Sequence, residues 1–264
     1  MRSSKTGIPF KAVRIVILLA ILLVVGLNAW LTKARITAWR HPLWVVIYPI
    51  NGDKSQTSSL HIESLKKESF ETIETFLAIE ADRFGLNIED PITIKIAPEI
   101  DSMPPKAPQK GNILKIMWWS LKIRYWAYVS DSHKGPAANI KMFVIYYDPA
   151  TYNELEHSLI VEKSFIGVVR VFSSAKLEEK NNVVITHELL HTLGATDKYN
   201  PITTQPVYPE GYADPNKKPP FPQVRAEIMG GRIPISKTRS TMPYSLAEVS
   251  IGEKTAAEIN WKKD

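Results

Sequence analysis

His187 and His191 stand four residues apart in the stretch HELLHTLGATD, residues 187–197. On a helix that spacing puts both imidazoles on one face, one above the other, where they can grip one ion. Glu188 lies beside the first histidine, offset around the helix. Two nitrogen ligands with a neighbouring carboxylate form the H-E-x-x-H arrangement of zinc-dependent hydrolysis. Zinc lowers the pKa of a bound water and polarises a scissile carbonyl. Glu188 is then the general base, taking a proton from water and passing it to the leaving amine. Gly194 follows three residues after His191, where a left-handed turn is free to a residue without a Cβ. Such a turn swings Asp197 back toward the ion. A carboxylate there completes a three-ligand site for one zinc and leaves the fourth position to water.

Other residues compete for these roles. Glu210, Asp214 and Glu227 are alternative third ligands, the first two on a long proline-rich loop from Lys198 to Val224 that can wall a cleft. An amphipathic helix with solvated histidines is the bland alternative. Against it, the preceding VVIT supplies apolar packing, and Asn181 or Asn182 can cap the helix start. His41, His61, His133 and His157 lack a partner at ligand spacing and read as ordinary surface or core histidines. Lys217 and Lys218 read as a solvated pair. The chain has no cysteine, which excludes thiolate metal sites, a disulfide-linked partner and a thiolate latch on the zinc.

The run from His187 to Asp197 resembles the extended motif of the metzincin metalloproteases, HExxHxxGxx followed by histidine or aspartate. It is most similar to the aspartate-ending, snapalysin-like variant, in which a tyrosine follows two residues later, as Tyr199 does here. The resemblance covers about residues 140–262. It implies a sheet with backing helices, the active-site helix, then a lower subdomain ending in a helix. It also implies a methionine-bearing structural turn beneath the metal. Met229, before Gly230 and Gly231, is the first choice. Met242, in Ser240-Thr241-Met242-Pro243-Tyr244, is the alternative, and with it Tyr244 would join Tyr199 as transition-state support.

The elements that must position these residues can be read from pattern. Residues 43–50, 92–97, 140–147 and 165–172 read as strands. Residues 60–84 read as one long helix stopped at Gly85, 181–193 as the active-site helix, and 246–260 as a C-terminal helix. Residues 101–111 form a Pro/Lys-rich loop. Residues 113–129, ILKIMWWSLKIRYWAYV, read as one or two strands, since aromatics favour pleated structure.

The chain of 264 residues carries 33 Lys and Arg against 27 Asp and Glu, a net +6. Seven of the basic residues and none of the acidic ones fall within residues 1–40, leaving 26 against 27 in the remainder. The remainder therefore has no surplus for nucleic acid, and no nucleic-acid partner is expected. The basic residues bracket the apolar run Ile15–Leu27. The expected organisation is a basic cytoplasmic tail at 1–12, a transmembrane anchor at 13–31 in a lipid bilayer, a linker at 32–42 and a zinc peptidase domain at 43–264 outside the cytoplasm. Read instead as a signal peptide, the same run makes the chain secreted. The expected fold class is α+β, a metzincin-like two-part catalytic domain behind that helix. The expected function is zinc-dependent endopeptidase action on a polypeptide. A zinc amidase acting on cell-wall peptides and a non-catalytic binding or scaffold module on the same fold are the alternatives.

Overall fold

The computed structural model describes residues 10–108, 113–155, 159–161 and 165–262. His157, residues 1–9 of the basic tail and residues 109–112 lie outside them. The chain divides into two units, residues 1–38 and 39–264. The first unit contains helix α1, Phe10–Ile36.

The membrane anchor expected over residues 13–31 is corrected. Among the described residues no helix is long and apolar enough to cross a membrane. The segment does form helix, because its leucines and valines recur without a breaker. But the uninterrupted apolar run, Ile15–Leu27, is 13 residues. At 1.5 Å per residue it covers roughly 20 Å, against a hydrocarbon core of about 30 Å. Arg14 bounds it on one side and Asn28, Lys33 and Arg35 follow on the other. The transmembrane part of the expected fold class, the bilayer contact expected through residues 13–31 and the single-pass placement fall with it.

The second unit is a mixed α/β domain. Its elements run β1 (Leu43–Asn51), α2 (Gln56–Ser64), α3 (Glu71–Arg83), β2 (Ile92–Ile96), α4 (Ile113–Val129), β3 (Ile140–Tyr147), β4 (Leu159–Val161), β5 (Ile166–Phe172) and α5 (Glu178–Leu193). There follow the short strands β6 (Ala226–Glu227), β7 (Ile233–Pro234), β8 (Ser240–Thr241) and β9 (Val249–Ser250), and finally α6 (Glu253–Glu258). The main sheet has the order β2-β1-β3-β5-β4. Its first four strands are parallel, and β4 runs antiparallel on the β5 edge. Central strands covered on both faces read as near-continuous apolar runs, as LWVVIYPI and IKMFVIYY do.

One face of the sheet presents Val46, Tyr48, Ile50, Phe143, Ile145 and Val168, packed against Ile123 and Ala127 of α4. The alternate residues, Ile47 of β1 and Met142 and Val144 of β3, point to the opposite face and are fully buried. Helices α3 and α5 cover that side and are joined to each other by Asn182, whose Nδ2 donates to Ser69 O at 2.8 Å and Thr72 Oγ1 at 2.9 Å. Asn181 Nδ2 donates to Phe172 O at 2.9 Å, tying α5 to the end of β5. The two asparagines therefore do not cap α5, which begins at Glu178. They lie in its early turns and join it to its neighbours.

Three expected elements differ. The helix expected at 60–84 is broken, because Leu65 and Lys66 are extended and a short 3-10 turn at Lys67–Phe70 intervenes. The break turns Phe70 inward beside Ile73 and Leu77, all nearly or fully buried. Gly85 does end α3, at a φ of 72°. Residues 113–129 form helix α4, not strands. Trp119, Ile123, Trp126 and Ala127 recur at helical spacing toward the sheet, and that packing overrides strand propensity. The C-terminal helix shrinks to α6, because Val249 and Ser250 pair with Ala226 and Glu227 instead.

Ile123 is the side chain through which α4 meets the sheet, with no exposed surface. Ile123→Ala should cost about 2–5 kcal/mol, read as a lowered urea midpoint with an unchanged slope.

Candidate metal centre

Helix α5 is buried along most of its length, and its C-terminal turns bring the two histidines to the domain's loop side. His187 and His191 are each partly buried, with their Nε2 atoms 3.1 Å apart. The helix ends at Gly194, which takes a φ of 113° and lets Ala195 N donate back to Leu190 O at 3.1 Å. The chain reverses there, and Asp197 Oδ1 comes to 3.2 Å from His187 Nε2 and 3.0 Å from His191 Nε2. His187, His191 and Asp197 form a three-donor group able to hold a metal ion. Zinc ligands at about 2.0–2.2 Å in tetrahedral array stand roughly 3.3–3.5 Å apart. The observed triangle is slightly tighter and of the right shape.

Both imidazoles are oriented by backbone carbonyls. His187 Nδ1 meets Ile228 O at 2.8 Å, and His191 Nδ1 meets Ala195 O at 2.8 Å. A carbonyl oxygen only accepts, so each Nδ1 carries a proton and each Nε2 is left to face the shared point. The Gly194 turn thus does two things at once: it aims His191 through Ala195 and delivers Asp197.

Charge at the centre is arranged for a cation. Burial opposes ionisation of Asp197, but the hydrogen bonds from His187 and His191 outweigh it and hold the carboxyl well below the usual carboxylate range. At His187 burial works against the imidazolium, yet Asp197 and the charge of Glu188 raise its pKa on balance. The site therefore favours positive charge at the His187 imidazole. Glu188 is partly buried on α5, and its charge also bears on Tyr199. The Tyr199 ring lies 6.3 Å from that of His187. Burial, then the nearby Asp197 carboxylate, pushes its hydroxyl up to about 12, so it remains protonated at neutral pH.

The segment carrying Asp197 is fixed by a clamp from α6. Glu258 accepts from Thr196 N at 2.9 Å and from Thr196 Oγ1 at 2.8 Å. Lys198, only 5% exposed, donates from Nζ to Glu258 at 2.7 Å and to Thr196 O at 2.8 Å. Lys198 N also donates to Met229 O at 2.9 Å. These partners flank Asp197 on both sides along the chain.

The remaining sequence candidates separate cleanly. Met229 is fully buried, in the turn whose Ile228 carbonyl holds His187, whereas Met242 is 47% exposed. Tyr244 is exposed, with Lys180 Nζ 5.6 Å above its ring, and does not join the cluster. Glu227 is buried but committed elsewhere, accepting from Thr255 Oγ1, Gly252 N and Gly230 N at 2.6–3.0 Å. Glu210 and Asp214 are exposed on the loop and outside the cluster. The loop is stitched to the centre by Val207 N donating to Lys198 O at 2.8 Å. It also borders an open cleft of about 480 Å³ lined by Tyr208, Tyr212, Phe221 and Lys217 among others, with none of the three donors in its wall. The two carbonyl partners, the Lys198–Glu258 clamp and the role of Glu227 were not expected. Carbonyls leave no trace in side-chain pattern, and Glu258 lies 60 residues beyond Lys198.

No protein-family profile and no curated protein sequence matches the chain. A solved structure titled "Structure of a chaperone-substrate complex" is similar at 13% identity and a TM-score of 0.38, over 83% of this chain and 33% of that one. The chain thus spans about a third of that structure, and a likeness of this depth assigns neither fold nor activity.

Two outcomes follow from the turn and the clamp. Gly194→Ala places a Cβ at a φ of 113° and should cost about 1–3 kcal/mol of stability, with weaker uptake of a divalent metal in a competitive chelator titration. Glu258 is partly buried, which alone would raise its pKa, but Lys198 and Thr196 bind the carboxylate and lower it on balance. Its folded pKa thus lies below the unfolded value of about 4.3. The stability it contributes is full above that value and is lost as pH falls through the folded pKa. Glu258→Gln should therefore be less stable than the parent at pH 7, and the gap should narrow steadily in urea titrations run from pH 5 downward.

Proposed function

We propose that the chain is a zinc-dependent hydrolase of peptide bonds, an endopeptidase acting on polypeptide. The observation that carries the reading is the triangle of His187 Nε2, His191 Nε2 and Asp197 Oδ1, all at 3.0–3.2 Å, beside a glutamate on the same helix. Nitrogen and carboxylate donors in that number suit a catalytic zinc, which needs three protein ligands and an open fourth position.

His187, His191 and Asp197 would hold the ion. When bound, zinc supplies Lewis acidity, lowering the pKa of a water and polarising a carbonyl. The rest is work for the chain's own groups. Glu188 takes a proton from the attacking water and returns it to the leaving nitrogen. The carbonyls of Ile228 and Ala195 keep both imidazoles in one tautomer throughout. Tyr199, protonated at neutral pH, would donate to an oxygen that gains charge. The likeness of HELLHTLGATD to the snapalysin-like metzincins supports the same assignment, with Met229 as the buried turn residue and Gly194 as the turn that brings Asp197 home.

A metal-binding module without catalysis rests on the same three donors, and a zinc amidase acting on cell-wall peptides rests on the same chemistry. Glu188 separates the first from the main reading, because holding a metal needs no base. The purified chain should bind one zinc. Glu188→Gln should keep that zinc and lose peptide hydrolysis by several orders of magnitude. Absence of zinc uptake on titration would sink the metal centre. Zinc binding without cleavage of either a peptide library or cell-wall fragments would leave the binding module standing, and cleavage of the fragments alone would favour the amidase.

A further inference from the structure

Helix α4 packs one side against the main sheet and leaves the other side apolar. At 3.6 residues per turn, Met117, Tyr128, Leu121, Leu114, Tyr125, Trp118 and Val129 fall on one outward stripe roughly 120° wide. All seven are between 58% and 77% exposed. A monomeric protein rarely shows so continuous an apolar strip to water. Cations border it: Arg124 on one edge, Lys122 and Lys115 on the other, all on the exposed side of the helix. Lys122 Nζ lies 5.6 Å from the Trp118 ring centroid. The helix contains no acidic residue. Trp119 Nε1, donating to Pro105 O at 2.9 Å, and Trp126 Nε1, donating to Ser102 Oγ at 3.0 Å, fasten the opposite side. The stripe is therefore held facing outward and cannot simply roll inward.

We infer that this face of α4 docks the domain on an anionic lipid surface, lying in the headgroup region without crossing it. The chemistry of the stripe favours lipid over a protein partner. Tryptophan and tyrosine have an apolar body with a polar tip, and lysine and arginine have an apolar stem with a charged head. Both kinds of side chain settle at a water–hydrocarbon boundary. Here they occur in the order such a boundary requires, apolar in the middle and cationic on both edges. An anionic headgroup layer complements those edges. The inference is independent of the metal centre, since no residue of the stripe belongs to it.

The chain has no cysteine, so a single introduced thiol can report on one position. Leu121→Cys in the full chain, labelled with an environment-sensitive fluorophore, should shift to the blue on adding vesicles of phosphatidylcholine with phosphatidylglycerol. The same label at Lys237, exposed and far along the sequence, should not shift. Lys122→Gln with Arg124→Gln should weaken vesicle binding about tenfold or more, and added salt should weaken the parent toward the variant. Both substitutions are on the exposed side, and an unchanged far-UV circular dichroism spectrum would show that the fold is kept. No shift at Leu121 with anionic vesicles overturns the inference. So does a shift that grows with protein concentration in the absence of lipid, which would mean that a second copy covers the stripe. Equal vesicle binding by the parent and the double variant also overturns it.

Discussion

A carboxylate held 3.0–3.2 Å from two imidazole nitrogens is the contact on which the rest of the centre depends. Its charge must be kept in place although the surrounding protein desolvates it, and its backbone has to be brought round within six residues of His191. Gly194 supplies the reversal, since an L side chain at a φ of 113° is strained. Glu258 and Lys198 supply the anchorage, because they bind the residue before Asp197 and are themselves bound to each other. A buried lysine without a partner would be costly. Here its ammonium has Glu258 and Thr196 O to meet, so the clamp satisfies the ion that makes it.

The main sheet provides the platform for this. Its parallel strands are covered on both faces, and α5 lies across one of them with Asn181 and Asn182 fastening it to β5 and to the turn before α3. The histidines therefore project from a helix that cannot rotate without breaking two side-chain hydrogen-bond sets. The lower part of the domain is built differently. Its strands are two residues long, and buried polar groups carry much of the order. Glu227 receives three hydrogen bonds at the turn that also contains Met229. Burial raises its pKa on balance, although the hydrogen bonds from Thr255, Gly252 and Gly230 oppose the shift. Through Ile228 that turn reaches His187, so the two halves of the domain meet at one imidazole.

The donors were legible because their types and spacing state the chemistry directly. Histidines at i and i+4 need only a helix, and glycine at 194 announced the turn. The apolar strands were legible for the same reason of pattern. Helix α4 was not, because its tryptophans lie on both sides of the helix and mask the period that Trp119, Ile123 and Ala127 keep. The break at Leu65 was hidden because Phe70 could sit on either a long helix or a kink. Residues 13–31 do not make a span, because Arg14 and Asn28 leave only the run from Ile15 to Leu27 uninterrupted. The carbonyl partners of the histidines and the Lys198–Glu258 pair depend on tertiary approach. No local pattern announces them.

The clamp also orders events in time. During synthesis the helix bearing His187 and His191 is complete long before Glu258 exists, since 60 residues separate Lys198 from its partner. Until α6 is made and docked, the chain holds two histidines but no fixed third donor. A nascent chain can therefore offer Asp197 to a metal only without the anchorage that α6 gives to Thr196 and Lys198. The order of translation thus sets when the third donor becomes fixed.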